Sequence, residues 1–485
     1  MLLVSLLLPE VGAALLFLLR PARAWVRNWL VMASALLTSA CVAVCLLTPG
    51  DHQLTLLRLS SYLSVSFRLD GLGRVFAGLV AFLWPLASLY GIEYMRHEGG
   101  ENHFFGFYLI SYSVTLGIAF SEDLMSLYVF YELLTLATLP LVMHGMKAKA
   151  VHAGRTYVYF SLGGAALGFL ALVTVIHYSG ASNFTAGGIP QLASAPLNVL
   201  LMMYVLGFFG FGVKAAVFPF HHWLPKAGVA PTPVTALLHA VAVVKAGVFA
   251  VIRLTYSCFG ADLLRGTWAH TLCLCVTLVS ILFGSAMAVK EQHMKRRLAY
   301  STMSNLSYVL FGALLLTADG LRGGLLHMCY HALMKIVLFC CVGAVMIYTG
   351  KTDIREMRGL GKRMPFTMAL FLMCSAALVG VPPLIGFGSK WALATAGVAS
   401  GNWLGVAGAA VLLISAVLTA IYVLVPALSA YALPLSAVAG LEERSYDPGL
   451  CMKIALSVVV FVILVLCFFS APLSRFLGQV AAQLC

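Results

Sequence analysis

Residues 325–345 read LLHMCYHALMKIVLFCCVGAV, an apolar run that carries one formal charge, Lys335. About 20 apolar residues rising 1.5 Å each span a hydrocarbon core, so a run of this length is a candidate transmembrane helix. His327, His331 and Lys335 recur within it at i, i+4 and i+8 and share one helical face. Histidine titrates near neutral pH and desolvation draws lysine toward it, so such a stripe can pass a proton along. The competing readings, a metal site or core histidines satisfied by neighbours, are weaker because no carboxylate or cysteine joins the face.

The rest of the chain has the same character. Of 485 residues 61% are hydrophobic and 10% charged, with a mean hydropathy of +0.98 that no water-soluble surface accommodates. Fourteen apolar spans begin near Leu2, Trp29, Gly71, Phe104, Leu124, Tyr157, Leu197, Pro233, His270, Thr302, Leu325, Phe366, Leu404 and Met452. The gaps between them are short and leave no room for a soluble domain. A β-barrel would show alternating segments of about ten residues, and none is visible. The expected fold is an all-α polytopic membrane protein, with residues 1–485 as a single integral membrane domain. Met1 to Leu19 lacks a basic leader and carries Glu10, so it reads as a retained span.

The net charge of +13 is not gathered into a basic run or an aromatic-interleaved patch, which argues against nucleic acid. The basic residues sit between spans, nineteen on odd-numbered loops against about five on even ones. By the positive-inside rule the odd loops are cytoplasmic and both termini face outward. Twelve scattered cysteines form no CxxC pair, and no Walker loop, GxSxG or HExxH is present, so neither a metal nor a cofactor is expected. Gly163, Gly164 and Gly168 lie inside an apolar helix and read as a close-packing surface.

Subtracting the loop residues leaves few charges at membrane depth: Lys214, Lys245, Lys335, Lys390 and Glu132, with Glu10 a possible addition. A charge at the bilayer centre costs about 3 kcal/mol or more, so such residues mark a pathway or a buried pair. Lysines that snorkel, or that pair to hold helices together, are the alternative. Lys214 ends Gly210-Phe211-Gly212-Val213-Lys214 and Lys390 ends Gly386-Phe387-Gly388-Ser389-Lys390, the same G-F-G-x-K 176 residues apart. Pro219 and Pro225 follow the first, and Pro382 and Pro383 precede the second. Glycine and proline beside a buried charge suggest interrupted helices lining a polar cavity, as in repeat-built transporters. His239 precedes Lys245 by six residues, about 240° round a continuous helix, so it points elsewhere.

Three stretches carry a resemblance to a known family. Ser121-Glu-Asp-Leu-Met-Ser-Leu-Tyr-Val-Phe-Tyr-Glu-Leu resembles the fifth-helix signature of the antiporter-like subunits shared by respiratory complex I, Mrp-type cation/proton antiporters and energy-converting membrane hydrogenases. Phe218-Pro-Phe-His-His-Trp-Leu-Pro, running on to Ala230-Pro-Thr-Pro-Val-Thr-Ala-Leu-Leu-His, is similar to that family's segment between helices seven and eight. Gly380-Val-Pro-Pro-Leu-Ile-Gly-Phe resembles its broken twelfth helix. The match covers roughly residues 70 to 430. It implies about 14 transmembrane helices with two inverted five-helix repeats and broken helices 7 and 12. The N-terminal helices would occupy 1–103, the repeats 104–256 and 270–431, and a loop with the last helix 432–485.

The resemblance also implies roles. Glu132 and Lys214 would be the ion pair of the first half-channel, Lys245 the central lysine, His331 and Lys335 the connecting residues, and Lys390 the exit residue. His239, read from its offset to Lys245 and not from the resemblance, would hand a proton to a neighbour, and the parts of Glu10 and His327 stay open. The implied function is a proton-translocating subunit of a multi-subunit membrane complex, an Mrp-type antiporter or a redox pump of the complex I or hydrogenase kind. Its partners would be other integral membrane subunits, the bilayer, H⁺ and, as an open alternative, Na⁺; its place would be a bacterial or archaeal inner or plasma membrane. Few residues follow Pro472, which resembles the D-type Mrp subunit or its hydrogenase counterpart rather than a subunit with a long lateral helix. Lys226 stands where many relatives carry an acid. A free-standing monovalent cation/proton transporter and a non-transporting scaffold are the other readings. No nucleophile with an adjacent base supports catalytic chemistry of the chain's own.

Overall fold

Away from water a backbone must bond to itself, and the apolar runs do so as helices. The computed structural model describes residues 1–485 except 49, 51, 59, 61, 62, 181 and 433–445, so the loop expected from residue 432 onward lies largely outside the described residues. The first half holds α1 (Leu2–Leu19), α2 (Ala24–Leu47), α3 (Gly71–Tyr94), α4 (Glu101–Phe120), α5 (Leu124–Val142) and α6 (Ala148–Ser179). There follow α7 (Leu197–Gly212), α8 (Trp223–Lys226), α9 (Thr232–Ala240), α10 (Val243–Ile252) and α11 (Ala261–Leu264). The second half holds α12 (Trp268–Lys290), α13 (Met294–Leu314), α14 (Ala318–Thr349), α15 (Leu360–Arg363), α16 (Pro365–Val379) and α17 (Ile385–Ala399). It closes with α18 (Trp403–Thr419), α19 (Val425–Ser429), α20 (Leu450–Phe468) and α21 (Ala471–Leu484).

Among the described residues eleven helices are long and apolar enough to cross a membrane. The chain is an integral membrane protein. Large side chains such as Trp29, Leu413 and Phe461 are exposed on the outer helices, where lipid is their solvent. Within the bundle, α9 and α10 are wholly buried and α14 largely so. α14 packs against α3, α9, α13, α16, α17, α20 and α21, which makes it the axis of the second half. Gly164 shows how tightly neighbours approach: a Cβ there would sit 2.7 Å from the Gly210 carbonyl oxygen, so α6 and α7 touch backbone to backbone.

One element departs from the all-α expectation. β1 (Gln53–Arg58) and β2 (Ser64–Arg68) form an antiparallel hairpin between α2 and α3. β2 buries Val65 and Phe67 against the bundle while β1 stays mostly exposed. The Ser66 amide donates to Ser126 Oγ at 2.8 Å, latching the hairpin onto α5. Six- and five-residue strands within an apolar chain leave too short an alternation to separate from loop.

Candidate functional site

α5 carries the first charge. Asp123 caps it, accepting from the Ser126 amide at 2.7 Å and from Ser126 Oγ at 2.9 Å. Burial pushes the Asp123 carboxyl up to about 6 despite these hydrogen bonds. Two turns along, Glu132 reaches Lys214, with Oε1 and Nζ 3.6 Å apart. That distance makes an ion pair but not a hydrogen bond. The ammonium instead donates to the Tyr131 carbonyl oxygen and lies 3.4 Å from the centre of the Tyr131 ring. Lys214 is fully buried, whereas the Glu132 side chain keeps 20% of its exposure.

Lys214 stands where the chain stops being helical. After Gly212 the backbone passes through turns, with Ala216 in the left-handed region at φ 57°, and resumes helix only at Trp223. Freed backbone groups find side chains: Trp223 Nε1 donates to the Val213 carbonyl at 2.8 Å, and the Phe218 amide donates to Ser280 Oγ at 2.9 Å. Tyr131 grips the other side, its hydroxyl donating to the Phe211 carbonyl at 2.8 Å. α10 closes in from behind at Gly247, where a Cβ would collide with the Ala215 amide.

The second station lies across a gap between α9 and α10 at Val241 and Ala242. The gap leaves the His239 carbonyl without its helical partner, and Lys245 Nζ donates to it at 3.3 Å. Lys245 Nζ also lies 2.9 Å from His331 Nδ1 on α14. The His239 ring turns away and stacks on Phe339, centroids 4.8 Å apart, with neither nitrogen hydrogen-bonded among the described residues. His239 therefore meets Lys245 through its backbone.

On α14, Lys335 Nζ donates to the Leu298 carbonyl at 3.0 Å. The His327 and His331 rings are 6.1 Å apart, and His327 is held between Ser389 and Asn305. Lys390, on α17, turns back across a break at residues 380–384. It donates to the Leu378 and Val379 carbonyls at 2.8 and 3.0 Å, at the C-terminus of α16. The partial negative charge of that helix end stands where Lys214 has a carboxylate. A cavity of about 560 Å³ between α16, α17 and α18 reaches Lys390.

The two G-F-G-x-K stretches are not spatial equivalents. Gly210 to Lys214 leads into its break from the N-terminal side, whereas Gly386 to Lys390 follows its break inside α17. Gly210 admits α6, while a Cβ on Gly386 would collide with the Ala377 carbonyl. The glycines serve two different close approaches.

Glu132 is thus brought to Lys214, Lys245 to His331, and His327 to Ser389, the residue before Lys390. Among the described residues no hydrogen bond joins Lys214 to Lys245. Glu10 sits half-buried on α1 beside Ser113, apart from this array. Among the described residues no group of three or more His, Cys, Asp or Glu could hold a metal ion. The structure adds residues that the charge subtraction overlooked. Lys295 is buried and donates to the Ala230 carbonyl at 3.0 Å, just before α9 opens. Arg253 forks onto Asp70 at 2.5 and 2.6 Å. Burial opposes ionisation of Asp70, yet Arg253 and the Gly73 amide hold its carboxyl below the usual value. The spacing of Ser301, Ser304, Asn305 and Tyr308 at i, i+3, i+4 and i+7, which puts them on one face of α13, was the signal for Asn305.

Comparison with known proteins follows from this geometry. Residues 121–419 match the family described as NADH:quinone oxidoreductase/Mrp antiporter, TM. Residues 59–105 match the one described as NADH-Ubiquinone oxidoreductase (complex I), chain 5 N-terminus. The chain is 34% identical over 380 residues to NADH-quinone oxidoreductase subunit N of Desulforudis audaxviator, covering 76% of this chain and 74% of that one. It is 32% identical over 352 residues to hydrogenase-4 component B of Escherichia coli, covering 68% of this chain and 50% of the relative, so it spans half that protein's length. A chain of the solved Mrp complex from a Dietzia species superposes with a TM-score of 0.85 over 100% of this chain and 97% of that one, at 21% identity. That last likeness speaks to the fold alone.

Proposed function

The chain belongs to the NADH:quinone oxidoreductase/Mrp antiporter family of membrane subunits, and from that premise we propose that it translocates protons within a multi-subunit membrane complex. In this reading the chain crosses the bilayer fourteen times. The crossings are α1 to α6, α7 with α8, α9 with α10, α12, α13, α14, α16 with α17, α18 with α19, and α20. Residues 104–256 and 270–431 form two inverted five-helix repeats, with crossings seven and twelve broken at Lys214 and before Lys390. Both termini face outward from a bacterial or archaeal inner or plasma membrane, following the basic residues on odd loops.

The observation that carries the proposal is the Glu132–Lys214 pair, a fully buried lysine 3.6 Å from a partly exposed carboxylate at an interrupted helix. The ionised carboxylate favours the charged lysine, and separating the two leaves an ammonium in apolar surroundings that favour its neutral form. Opening and closing the pair is therefore a proton switch. A released proton passes to Lys245 and His331, which share a 2.9 Å contact and have Lys335 one turn along α14, then by way of His327 on the other side of His331 to Lys390. Among the described residues Lys214 alone of the four lysines has a carboxylate within 4.0 Å. The others rest on carbonyls and imidazole, which suits groups that lose and regain a proton.

Charge moved in this subunit biases its neighbours electrostatically, so coupling to a redox module or to Na⁺ exchange needs no cofactor on this chain. Affinity purification of the tagged protein in mild detergent, with proton uptake measured after reconstitution of what co-purifies, tests the proposal. Stoichiometric membrane partners and uptake by the reconstituted assembly are the expected result. A protein that purifies alone and moves ions by itself would instead be a free-standing transporter.

A further inference from the structure

Asn305 lies on α13, fully enclosed, between the main chain of its own helix and the ring of His327. Its amide nitrogen donates to the Ser301 carbonyl at 2.7 Å. A carbonyl accepts and never donates, so this bond fixes which end of the Asn305 amide is which. The oxygen, Oδ1, therefore faces His327 Nε2 at 3.2 Å. An acceptor facing a ring nitrogen selects the tautomer with its proton there. On the other side of the ring, Nδ1 lies 3.0 Å from Ser389 Oγ, and that hydroxyl also reaches the Gly386 carbonyl at 3.2 Å. A hydroxyl has one hydrogen and two lone pairs. It can turn its hydrogen to a bare Nδ1, or to Gly386 while accepting from a protonated Nδ1.

We propose that Asn305 is a positioning residue that holds neutral His327 as its Nε2–H tautomer, so that His327 gains and loses its relay proton only at Nδ1, beside Ser389. Uptake adds one relay proton at Nδ1: an N–H bond forms there, and the Ser389 hydroxyl turns its hydrogen from Nδ1 to the Gly386 carbonyl and accepts from the new N–H. Release reverses these steps, and the Nε2–H bond to Asn305 persists throughout. The inference rests on the proton-translocating function proposed above. The titratable groups around the ring are Tyr308 on α13, His331 on α14, Lys390 on α17 and, beyond His331, Lys245 on α10.

The test is ¹⁵N NMR of the histidine-labelled assembly in lipid, with the His327 signal identified by its loss in His327→Gln. The wild-type signal should report a protonated Nε2 and a bare Nδ1; a neutral ring protonated at Nδ1 would overturn the proposal without any variant. Asn305→Leu removes the acceptor and should raise the ratio of Nδ1–H to Nε2–H tautomer about fivefold, the worth of one buried hydrogen bond, with proton translocation falling in step with the bare-Nδ1 fraction that the spectrum reports. Asn305→Asp keeps an acceptor and should restore the tautomer. Ser389→Ala should slow translocation with the tautomer unchanged. If wild type translocates, Glu132→Gln does not, and Asn305→Leu still runs at the wild-type rate, this inference fails alone. If Glu132→Gln also runs at the wild-type rate, the proposed function fails with it.

Discussion

Gly247→Ala is a one-methyl perturbation aimed from behind at the Lys214 segment, the proposed proton switch. The new Cβ would lie 2.8 Å from the Lys214 carbonyl carbon and 3.0 Å from its Cβ, besides striking the Ala215 amide. Carbon atoms in contact settle near 3.5 Å, so α10 and the Lys214 segment must part by about 0.7 Å. Carried to the ammonium, that shift takes the Glu132 separation from 3.6 Å to as much as about 4.3 Å. At an effective dielectric of ~20 the pair's attraction weakens by about 0.8 kcal/mol, a factor of about four in the switch equilibrium. Overpacking adds about 1–3 kcal/mol of strain, small enough for the assembly to survive. Proton uptake by reconstituted vesicles should fall severalfold while subunit stoichiometry is unchanged. Gly163→Ala is the control, because a Cβ there meets nothing within 4 Å. Wild-type uptake in Gly247→Ala, with Gly163→Ala indistinguishable from it, would refute the reasoning.

Two further outcomes follow from the same contacts. Lys390→Met leaves the Leu378 and Val379 carbonyls without their ammonium and removes the group proposed as the exit, so translocation should cease while the complex still assembles, read by uptake and native gel mobility. Asp123, raised to about 6 by burial, keeps its proton to higher pH when folded than when unfolded. Its contribution to stability is therefore present below pH 4 and lost as pH rises through about 6. Asp123→Asn retains a good cap and should be more stable than wild type at pH 7 but not at pH 4.5, by thermal melting.

The bilayer made much of this legible. A charge inside 20 apolar residues is conspicuous, and Lys214, Lys245, Lys335, Lys390 and Glu132 stood out for that reason; α14 showed its stripe because an unbroken helix preserves spacing. Where the helix breaks, spacing misleads: His239 and Lys245 lie on different helices, so the angle between them on one continuous helix has no meaning. Equal motifs can serve unequal places, as the two G-F-G-x-K stretches do on opposite sides of their breaks. Lys295 was hidden in a basic cluster that read as loop, because burial of one member depends on the Ala230 carbonyl meeting it. Asn305 was hidden because an uncharged amide costs less to bury than a lysine, and its role depends on what stands at each end of it.

The central claim is that the Glu132–Lys214 pair is the proton switch. Proton uptake by the reconstituted complex in Glu132→Gln, at matched subunit stoichiometry, tests it most directly. The replacement keeps size and shape but cannot ionise, so Lys214 loses the charge that in this account cycles its proton. Uptake should be abolished while the complex remains assembled; uptake at the wild-type rate would contradict the account.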